Sequence, residues 1–304
     1  MDNFIKKFGF VNIIGATNVG KSTLINRLVG QKVSIVTRKV QTTRNNIIGI
    51  FCSSSSQVVL IDTPGIFVPK RKFDRAMINS AWKSVKDSDV TLLMLEANKP
   101  LDSNSLLISE AFKSKKVKLS KQLICVINKI DLVQSEVLLE LVDKVKKHFT
   151  CKEFFFISAL NGDGVLELKT YLTNNVPEGE WHYPEDYITD IPYRLLVAEI
   201  IREKLMDRFH HELPYGMAVE TEDWNQLHDG SIRIDVLIYV QKKGQKKIVI
   251  GSDGDNLKQI GTESRKELKK MLNKEVHLFL FVKVKENWDT SPDYYKDLGL
   301  DYNV

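Results

Sequence analysis

The sequence predicts an α/β domain with a mostly parallel sheet and helices on both faces, followed by a smaller α+β domain. Unbroken apolar runs alternate with helical patterns through the first half of the 304-residue chain. A proline-rich, acidic segment then interrupts this alternation. The length also suggests two domains, since one domain usually has roughly 100–200 residues. We therefore expect a first domain over residues 1–176, a linker over 177–191, and a second domain with a tail over 192–304.

The first domain contains six apolar runs that read as strands: FVNIIG, IIGIF, QVVLID, VTLLMLEA, QLICVIN and EFFFIS. They are continuous rather than alternating, which is typical of strands buried on both faces. Helical patterns lie near 21–29, 73–86, 102–116, 135–149 and 163–174. Only CSSSS separates the second run from the third, so that pair is predicted to form a hairpin.

The second domain has a different order of elements. Its sequence predicts a helix near 193–209, strands near 215–223 and 231–240, and a turn at QKKGQKK. A short strand IVI, the loop GSDGDNLKQIG, a helix from Thr262 and a final strand EVHLFLFVKV follow. Within the loop, Asp255 is expected to cap a short helix that starts at Asn256, because an N-cap carboxylate accepts from free amides.

Composition favours a globular chain in the cytoplasm. Hydrophobic residues make up 43% and charged residues 27%. Cys52, Cys125 and Cys151 have no paired spacing, so we expect buried thiols rather than disulfides or zinc ligands.

The start MDNFIKKFGF is too short and mixed for a signal peptide. Apolar runs fall below the ~18 residues of a membrane span, while a peripheral contact with the inner face of the cell membrane stays open.

Charge is distributed unevenly over the two halves. Residues 1–176 hold 26 Lys and Arg against 15 Asp and Glu, a net charge of +11, whereas 177–304 hold 18 against 24, a net charge of −6. Within the acidic half, residues 242–274 still carry ten Lys and Arg against four acids. This local basic stretch indicates an anionic partner and argues against a mere oligomerisation module.

The stretch GATNVGKS (Gly15–Ser22) matches the pattern GxxxxGK[ST] between a predicted strand and a predicted helix. Its glycines let backbone amides wrap phosphates, and the helix N-terminus adds a positive dipole. Lys21 is expected to reach the outer phosphates, and the Ser22 hydroxyl to ligate Mg²⁺. Lys21 is thereby also a candidate catalytic residue.

Two further segments complete the predicted phosphate site. VLIDTPG places Asp62 at the end of a strand, where it suits the Mg²⁺ shell, and the Gly65 N–H could sense the γ-phosphate. In the loop SIVTRKVQTTRNN, Thr42 or Thr43 could ligate Mg²⁺ only when that phosphate is present, and Thr43 is preferred. Gly65 and Thr43 are therefore the other candidate catalytic residues.

The segment VINKID indicates that the base is guanine. Asp131 can accept from both guanine donors, and adenine would leave this carboxylate unpaired. Asn128 can bond the O6/N7 side, while the Lys129 stem can lie over the ring. ISAL, at the end of the next strand, would supply backbone N–H groups to the base oxygen. The nucleotide-binding residues predicted in this way are Gly15, Ala16, Thr17, Asn18, Val19, Gly20, Lys21, Ser22, Thr23, Asp62, Thr63, Pro64, Gly65, Asn128, Lys129, Asp131, Ser158, Ala159 and Leu160.

A water-positioning glutamine is missing after the DxxG motif. That place holds Ile66, followed by Phe67, and neither side chain can orient a nucleophilic water. We therefore expect a GTPase, converting GTP to GDP and phosphate, with slow intrinsic hydrolysis.

With Gly15–Ser22, Gln41–Arg44, Asp62–Gly65, Asn128–Asp131 and Ser158–Leu160 in place, the first domain resembles a translation-factor-class GTPase. The second domain resembles a type II KH domain. QTTRNNIIGI and the ending FVKVKENWDTSPDYYKDLGLD are similar to the Era family over almost the whole chain. In the phosphate loop, Ala16-Thr17 replaces the common Arg-Pro of that family.

The resemblance implies a switch that binds small-subunit ribosomal RNA near its 3′ end and assists small ribosomal subunit assembly, with loose membrane association. We also expect a monomer. It also implies that Asn18 can help to bind an activating K⁺. The alternative is a membrane-surface regulatory GTPase whose Lys-rich segment KSKKVK (113–118) meets anionic lipid.

The loop GSDGDNLKQIG is the expected RNA clamp, because glycines let a backbone phosphate approach closely. Asp253 should repel that phosphate, so base contacts in a groove lined by Ile248, Ile250, Leu257 and Ile260 are expected to lead the grip. The predicted RNA-binding residues are Lys246, Lys247, Ile250, Gly251, Gly254 and Lys258.

Overall fold

The computed structural model describes residues 5–37, 39, 42–114 and 122–304. Contacts within the chain divide it into two compact units. Unit 1 consists of Met1–Val36, Val40–Asp190 and Tyr295–Val304, and unit 2 of Thr37–Lys39 and Ile191–Tyr294. This division differs from the predicted boundaries chiefly at the tail, whose last residues group with unit 1.

A six-stranded sheet forms the centre of unit 1. Its strands are β1 (Lys7–Gly15), β2 (Ile47–Ser53), β3 (Ser56–Asp62), β4 (Val90–Glu96), β5 (Gln122–Asn128) and β6 (Glu153–Ile157). The strand order is β2-β3-β1-β4-β5-β6. β2 pairs antiparallel with β3, and the other pairings are parallel. The predicted mostly parallel sheet and its hairpin are confirmed.

Helices cover both faces of this sheet. They are α1 (Lys21–Val29), α2 (Lys72–Asp87), α3 (Ser103–Lys113), α4 (Ser135–His148) and α5 (Val165–Asn175). Neighbouring residues of β1 face opposite cores, since Ile13 packs with residues of α1 and α5 and Ile14 with residues of α2, α3 and α4. Both isoleucines are fully buried. This explains why the strands read as continuous apolar runs.

Residues 177–190, the greater part of the predicted linker, bond the sheet at two places. The Pro177 carbonyl accepts from the Phe8 N–H at the start of β1 at 2.9 Å, and Ile188 and Thr189 lie on the outer edge of β2. The Ile50 N–H donates to the Ile188 carbonyl at 2.8 Å, and Thr189 Oγ1 donates to the Ile48 carbonyl at 2.6 Å. The His182 ring stacks on Phe8 with 3.9 Å between centroids. These bonds occupy backbone groups that an edge strand would otherwise expose.

The C-terminal residues of unit 1 pack on the start of α2. The fully buried Tyr295 ring lies edge-on to Phe73 with centroids 5.4 Å apart. Tyr302 contacts Tyr295 with 5.1 Å between ring centroids, and Lys72 Nζ lies 3.3 Å from the centroid of the Tyr302 ring. The tail is therefore part of a packed aromatic cluster.

Unit 2 is an α+β domain with its own three-stranded sheet. Its elements are α6 (Tyr193–Arg208), β7 (Met217–Gln226), β8 (Ile232–Val240), α7 (Lys243–Ile250), α8 (Asp255–Leu272) and β9 (Val276–Val284). The short helix α9 (Pro292–Asp297) crosses the boundary between the two units in the chain. The strand order is β7-β8-β9, with β8 antiparallel to β7 and parallel to β9. Helices α6 and α8 pack against this sheet.

The predicted turn at QKKGQKK and the predicted strand IVI are both wrong, because these residues form helix α7. Gln245 Oε1 accepts from the N–H groups of Gln241 and Lys242 at 2.9 and 3.0 Å, which caps the helix start. Val249 is fully buried while Ile248 is 55% exposed, so this side of the short run faces solvent. Packing on a helical face overrides the β-propensity of IVI.

The start predicted for the next helix is also wrong. α8 runs unbroken from Asp255 to Leu272 instead of starting at Thr262 or at Asn256. Gly254 occupies the N-cap position with φ 79°, and no side chain caps this helix. Asp255 has helical dihedral angles, so it lies in the first turn and is not the predicted cap. Before its glycine loop, unit 2 therefore has helices α6 and α7 and strands β7 and β8, where one helix and three strands were expected.

No helix in the described part of the chain has the length and apolarity to cross a membrane. The three cysteines are free thiols; Cys125 is buried, as predicted, and Cys52 and Cys151 are half-buried.

Candidate functional site

The phosphate loop lies between the end of β1 and the start of α1. Gly20 has φ 100° and forms the N-cap of α1 without any side-chain cap, so the first amides of this helix are available to a phosphate. A Cβ at Gly15 would lie 2.4 Å from the Met94 carbonyl oxygen. The backbone path of this loop therefore requires glycine at both ends.

Lys21 is buried within this loop. Its Nζ donates to the Ala16 carbonyl at 2.8 Å and lies 3.4 Å from the Gly15 carbonyl. Burial lowers the pKa of Lys21 to about 8, an effect that the nearby Asp62 carboxylate opposes. The structure thus places the predicted phosphate-binding ammonium group inside the loop.

Three hydroxyl groups converge on one oxygen of the buried Asp62. Ser22 and Ser34 donate to Oδ2 at 2.6 Å each, and Thr43 donates to it at 3.3 Å. The Ser22 and Thr43 oxygens lie 3.2 Å apart. Burial raises the pKa of Asp62, and the Ser22, Ser34 and Thr43 hydroxyls together with Lys21 oppose this rise. The three predicted metal ligands are therefore brought together.

The cluster fits Mg²⁺, which prefers oxygen ligands. Asp62 Oδ1 is buried and has no hydrogen-bond partner. A buried carboxylate oxygen of this kind is costly unless a cation or its water shell satisfies it. Ser22 and Thr43 would hold the ion directly, and Asp62 would face it with the free oxygen.

The DTPG segment contacts the phosphate loop. Thr63 Oγ1 donates to the Ile13 carbonyl at 2.7 Å, and the Ile66 N–H donates to the Gly15 carbonyl at 3.0 Å. A Cβ at Gly65 would lie 2.7 Å from Thr17 Cγ2. Only glycine allows this approach, which places the Gly65 backbone beside the phosphate loop. The Ile66 side chain is buried and cannot reach a water in the site.

Asn128 connects two loops of the predicted base site. Its Nδ2 donates to the Val19 carbonyl at 2.8 Å, and its Oδ1 accepts from the Ala159 N–H at 2.9 Å. One amide hydrogen stays for the predicted contact with the base. Because the Ser158 and Ala159 N–H groups both have partners, Leu160 provides the remaining candidate amide for the base oxygen.

Lys129 and Asp131 follow at the carboxyl end of β5. Lys129 Nζ donates to the Asn18 carbonyl at 2.9 Å and pairs with Glu96 at 2.6 Å. The aliphatic part of the Lys129 side chain is therefore fixed beside the phosphate loop, as is needed if it is to lie over the ring of the base. Asp131 is exposed, in keeping with a carboxylate that receives a ligand from solvent.

The glycine loop of unit 2 lies between α7 and α8. Gly251, Asp253 and Gly254 have φ of 80°, 51° and 79°. No side chain caps the N-terminus of α8, and the first N–H of this helix, that of Asp255, donates to the Ser252 carbonyl. Of the predicted groove residues, Ile248 is largely exposed, Ile250 and Leu257 are partly buried, and Ile260 is buried in the core. Among the predicted lysines, Lys247 and Lys258 are exposed and Lys246 is half-buried.

Three residues of these sites were not predicted from the sequence. Ser34 bonds Asp62, and Glu96 pairs with Lys129. Asn256 donates to the Ile248 carbonyl and accepts from Arg208, both at 2.9 Å, which connects the two sides of the glycine loop. A polar residue within an apolar run, as in VSIV and MLEA, was the available signal for the first two.

Comparisons with known proteins cover both units. A family model described as a 50S ribosome-binding GTPase matches residues 10–129, and a KH domain model matches residues 212–289. GTPase Era of Brucella suis biovar 1 (strain 1330) is 51% identical over 97% of this chain and 93% of that protein. GTPase Era of Agrobacterium fabrum is 50% identical over 97% of this chain and 92% of that protein.

Two solved structures are similar over both units. One is Era in complex with MgGDPNP and nucleotides 1506–1542 of 16S ribosomal RNA, with a TM-score of 0.90 and 38% identity over 97% of this chain and 99% of that chain. The other is a single-residue variant of Aquifex aeolicus Era bound to GDP·AlF4⁻, with a TM-score of 0.89 and 38% identity over 96% of this chain and 99% of that chain.

Proposed function

The chain belongs to the Era family of GTPases, and from this membership we propose that GTP binding and hydrolysis in unit 1 control the grip of unit 2 on small-subunit ribosomal RNA near its 3′ end. The proposed role is assistance in assembly of the small ribosomal subunit. One observation supports it: a single chain brings Ser22 and Thr43 together around Asp62 beside the phosphate loop, and also has a KH domain whose glycine loop is flanked by lysines. We also propose that it acts as a monomer in the cytoplasm.

Each predicted residue of unit 1 has its own part in nucleotide binding. Lys21 and the amides of the phosphate loop hold the phosphates. Asp131 selects guanine by accepting hydrogen bonds from the two donors of the base. The Ser22 and Thr43 hydroxyls would hold Mg²⁺, which would neutralise charge on the β- and γ-phosphates. Because Thr43 belongs to the loop before β2, its engagement reports whether the γ-phosphate is present.

Hydrolysis by the bare protein is expected to be slow. The buried Ile66 side chain cannot orient water, and Gly65 offers only backbone groups. Single-turnover assays with Mg²⁺ in Na⁺ buffer measure this rate directly, and fast turnover there would contradict the reasoning. Repeating them in K⁺ tests the proposed role of Asn18, since a K⁺ site predicts a faster rate that Asn18→Ala abolishes.

The glycine loop of unit 2 is proposed to bind the RNA backbone. Positive φ at Gly251 and Gly254 makes a tight turn without bulky side chains, so a phosphate can approach the N-terminus of α8 closely. Lys247 and Lys258 stand on either side of the loop. The exposed Asp253 repels a phosphate there. Contacts to bases are therefore expected to contribute more to RNA affinity than the salt-dependent contacts to phosphates.

Gly254→Asp provides the test, with Gly230→Asp as a matched control. Both glycines lie in unit 2 with similar φ, 79° and 82°, and an added Cβ would meet nothing within 4 Å at either position. We expect Gly254→Asp to weaken binding of a 3′-terminal small-subunit RNA fragment at least about tenfold in fluorescence anisotropy, and Gly230→Asp to leave it near wild type. Equal affinity for a scrambled RNA would refute the proposed function.

A membrane-surface role is the less favoured alternative, because RNA is the macromolecule bound in the related Era complex. Of its Lys-rich segment, residues 115–118 lie outside the described residues. Flotation with anionic phospholipid vesicles separates the two: co-flotation without specific RNA binding would favour the membrane.

A further inference from the structure

Ser34 is a buried serine in the nucleotide site to which no role has been assigned. Its side chain lies at the start of the loop between α1 and β2 and is 1% exposed. Its hydroxyl donates to Asp62 Oδ2 at 2.6 Å, the same distance as the hydroxyl of Ser22. Hydrogen bonds to an ionised carboxylate are the stronger kind, so this bond bears on the orientation of Asp62.

Asn26 of α1 holds Ser34 in place through three hydrogen bonds. Its Oδ1 accepts from the N–H groups of Val33 and Ser34 at 2.9 Å each, and its Nδ2 donates to the Ser34 carbonyl at 2.7 Å. The neighbours Val33 and Ile35 are fully buried. Ser34 is therefore fixed to the helix that starts at the phosphate loop, although it precedes Thr43 in the same connecting segment.

Thr43 differs from Ser34 in its attachment to the cluster. Its hydroxyl lies 3.3 Å from Asp62 Oδ2 and 3.2 Å from Ser22 Oγ, longer than the Ser34 bond. Asp62 Oδ1, the other carboxylate oxygen, is buried without a partner. The carboxylate is thus held on one side by fixed hydroxyls and is free on the other.

On the premise of the proposed nucleotide site, we propose that Ser34 is a positioning residue that fixes the Asp62 carboxylate so that Oδ1 faces the divalent cation. Because Asn26 anchors it independently of the γ-phosphate, Ser34 acts in the GDP state and in the GTP state alike. Thr43 acts only when the γ-phosphate is present. Loss of the Ser34 hydroxyl should therefore weaken Mg²⁺ binding with GDP and with GTP, and loss of the Thr43 hydroxyl only with GTP.

The test compares Ser34→Ala with Thr43→Ala by titrating Mg²⁺ against dissociation of fluorescent GDP and of a fluorescent non-hydrolysable GTP analogue. We expect Ser34→Ala to raise the half-saturating Mg²⁺ concentration at least about tenfold with both nucleotides, the effect of one hydrogen bond to a charged group. Thr43→Ala should raise it only with the GTP analogue. With excess EDTA, Ser34→Ala should release nucleotide at the wild-type rate.

Ser56→Ala is the matched control, since Ser56 is also a buried serine of unit 1 whose hydroxyl donates, at 2.8 Å, to the Thr173 carbonyl far from Asp62. It should leave the Mg²⁺ midpoint unchanged. If Ser34→Ala does not fold, Ser34→Cys keeps the shape with a weak donor and should shift the midpoint in the same direction.

A Mg²⁺ midpoint in the Ser34 variants equal to that of Ser56→Ala would overturn the inference, as would a shift seen with only one nucleotide. Wild-type protein that binds no guanine nucleotide in Mg²⁺ would instead refute the proposed nucleotide site, and with it this role for Ser34.

Discussion

Asn128→Asp tests whether the guanine site depends on the link between two loops. The substitution keeps the shape of the side chain but replaces the Nδ2 donor, 2.8 Å from the Val19 carbonyl, with a carboxylate oxygen. Asn128 is 3% exposed, so water cannot compensate. Leaving a buried carbonyl unpaired costs about 1–3 kcal/mol. This corresponds to roughly 5- to 140-fold weaker nucleotide binding.

Equilibrium binding of a fluorescent GDP analogue in Mg²⁺ measures this loss. Asn98→Asp serves as the control, because it adds the same charge at an exposed position just beyond β4. Thermal unfolding of both variants shows whether the fold is retained. Affinity of Asn128→Asp within about twofold of Asn98→Asp, below the whole expected range, would mean that the connection to Val19 does not support the site.

Two further predictions concern Lys21 and helix α7. Burial lowers the pKa of Lys21 to about 8, so in the free protein the charge of its ammonium group is lost as pH rises through this value. GDP affinity, measured in a pH series, should therefore fall above about pH 8. A constant affinity up to about pH 9.5 would contradict this. Gln245→Ala removes the acceptor for the Gln241 and Lys242 N–H groups and should destabilise unit 2 by about 1 kcal/mol in urea unfolding, with weaker RNA binding. Unchanged stability would show that this cap is not needed for α7.

The segments on either side of the glycine loop of unit 2 show why part of the fold could not be predicted from the sequence. IVI has the β-branched residues of a strand, but capping by Gln245 and burial of Val249 decide for a helix. Asp255 has the residue type of an N-cap, but Gly254 with its positive φ occupies that position. In both cases capping geometry and burial override the preference of a single residue type.

The base site shows a similar limit. The type and spacing of Asn128 and Asp131 indicate guanine, but not that the Asn128 amide connects Val19 to Ala159. That bond joins positions far apart in sequence, which periodicity cannot reveal. The same applies to Ser34, whose partner Asp62 lies on a different element.

By itself, the sequence determined the parallel sheet of unit 1, the phosphate loop and the order of the nucleotide motifs. These depend on contiguous residues, since continuous apolar runs specify doubly buried strands and glycines specify the turns between them. Only the tertiary structure decided that the C-terminal tail packs on α2, that α7 is a helix and that Ser34 holds Asp62. The tail and Ser34 make contacts between segments distant in the chain. In all three cases burial and hydrogen-bond satisfaction, rather than local propensity, set the outcome.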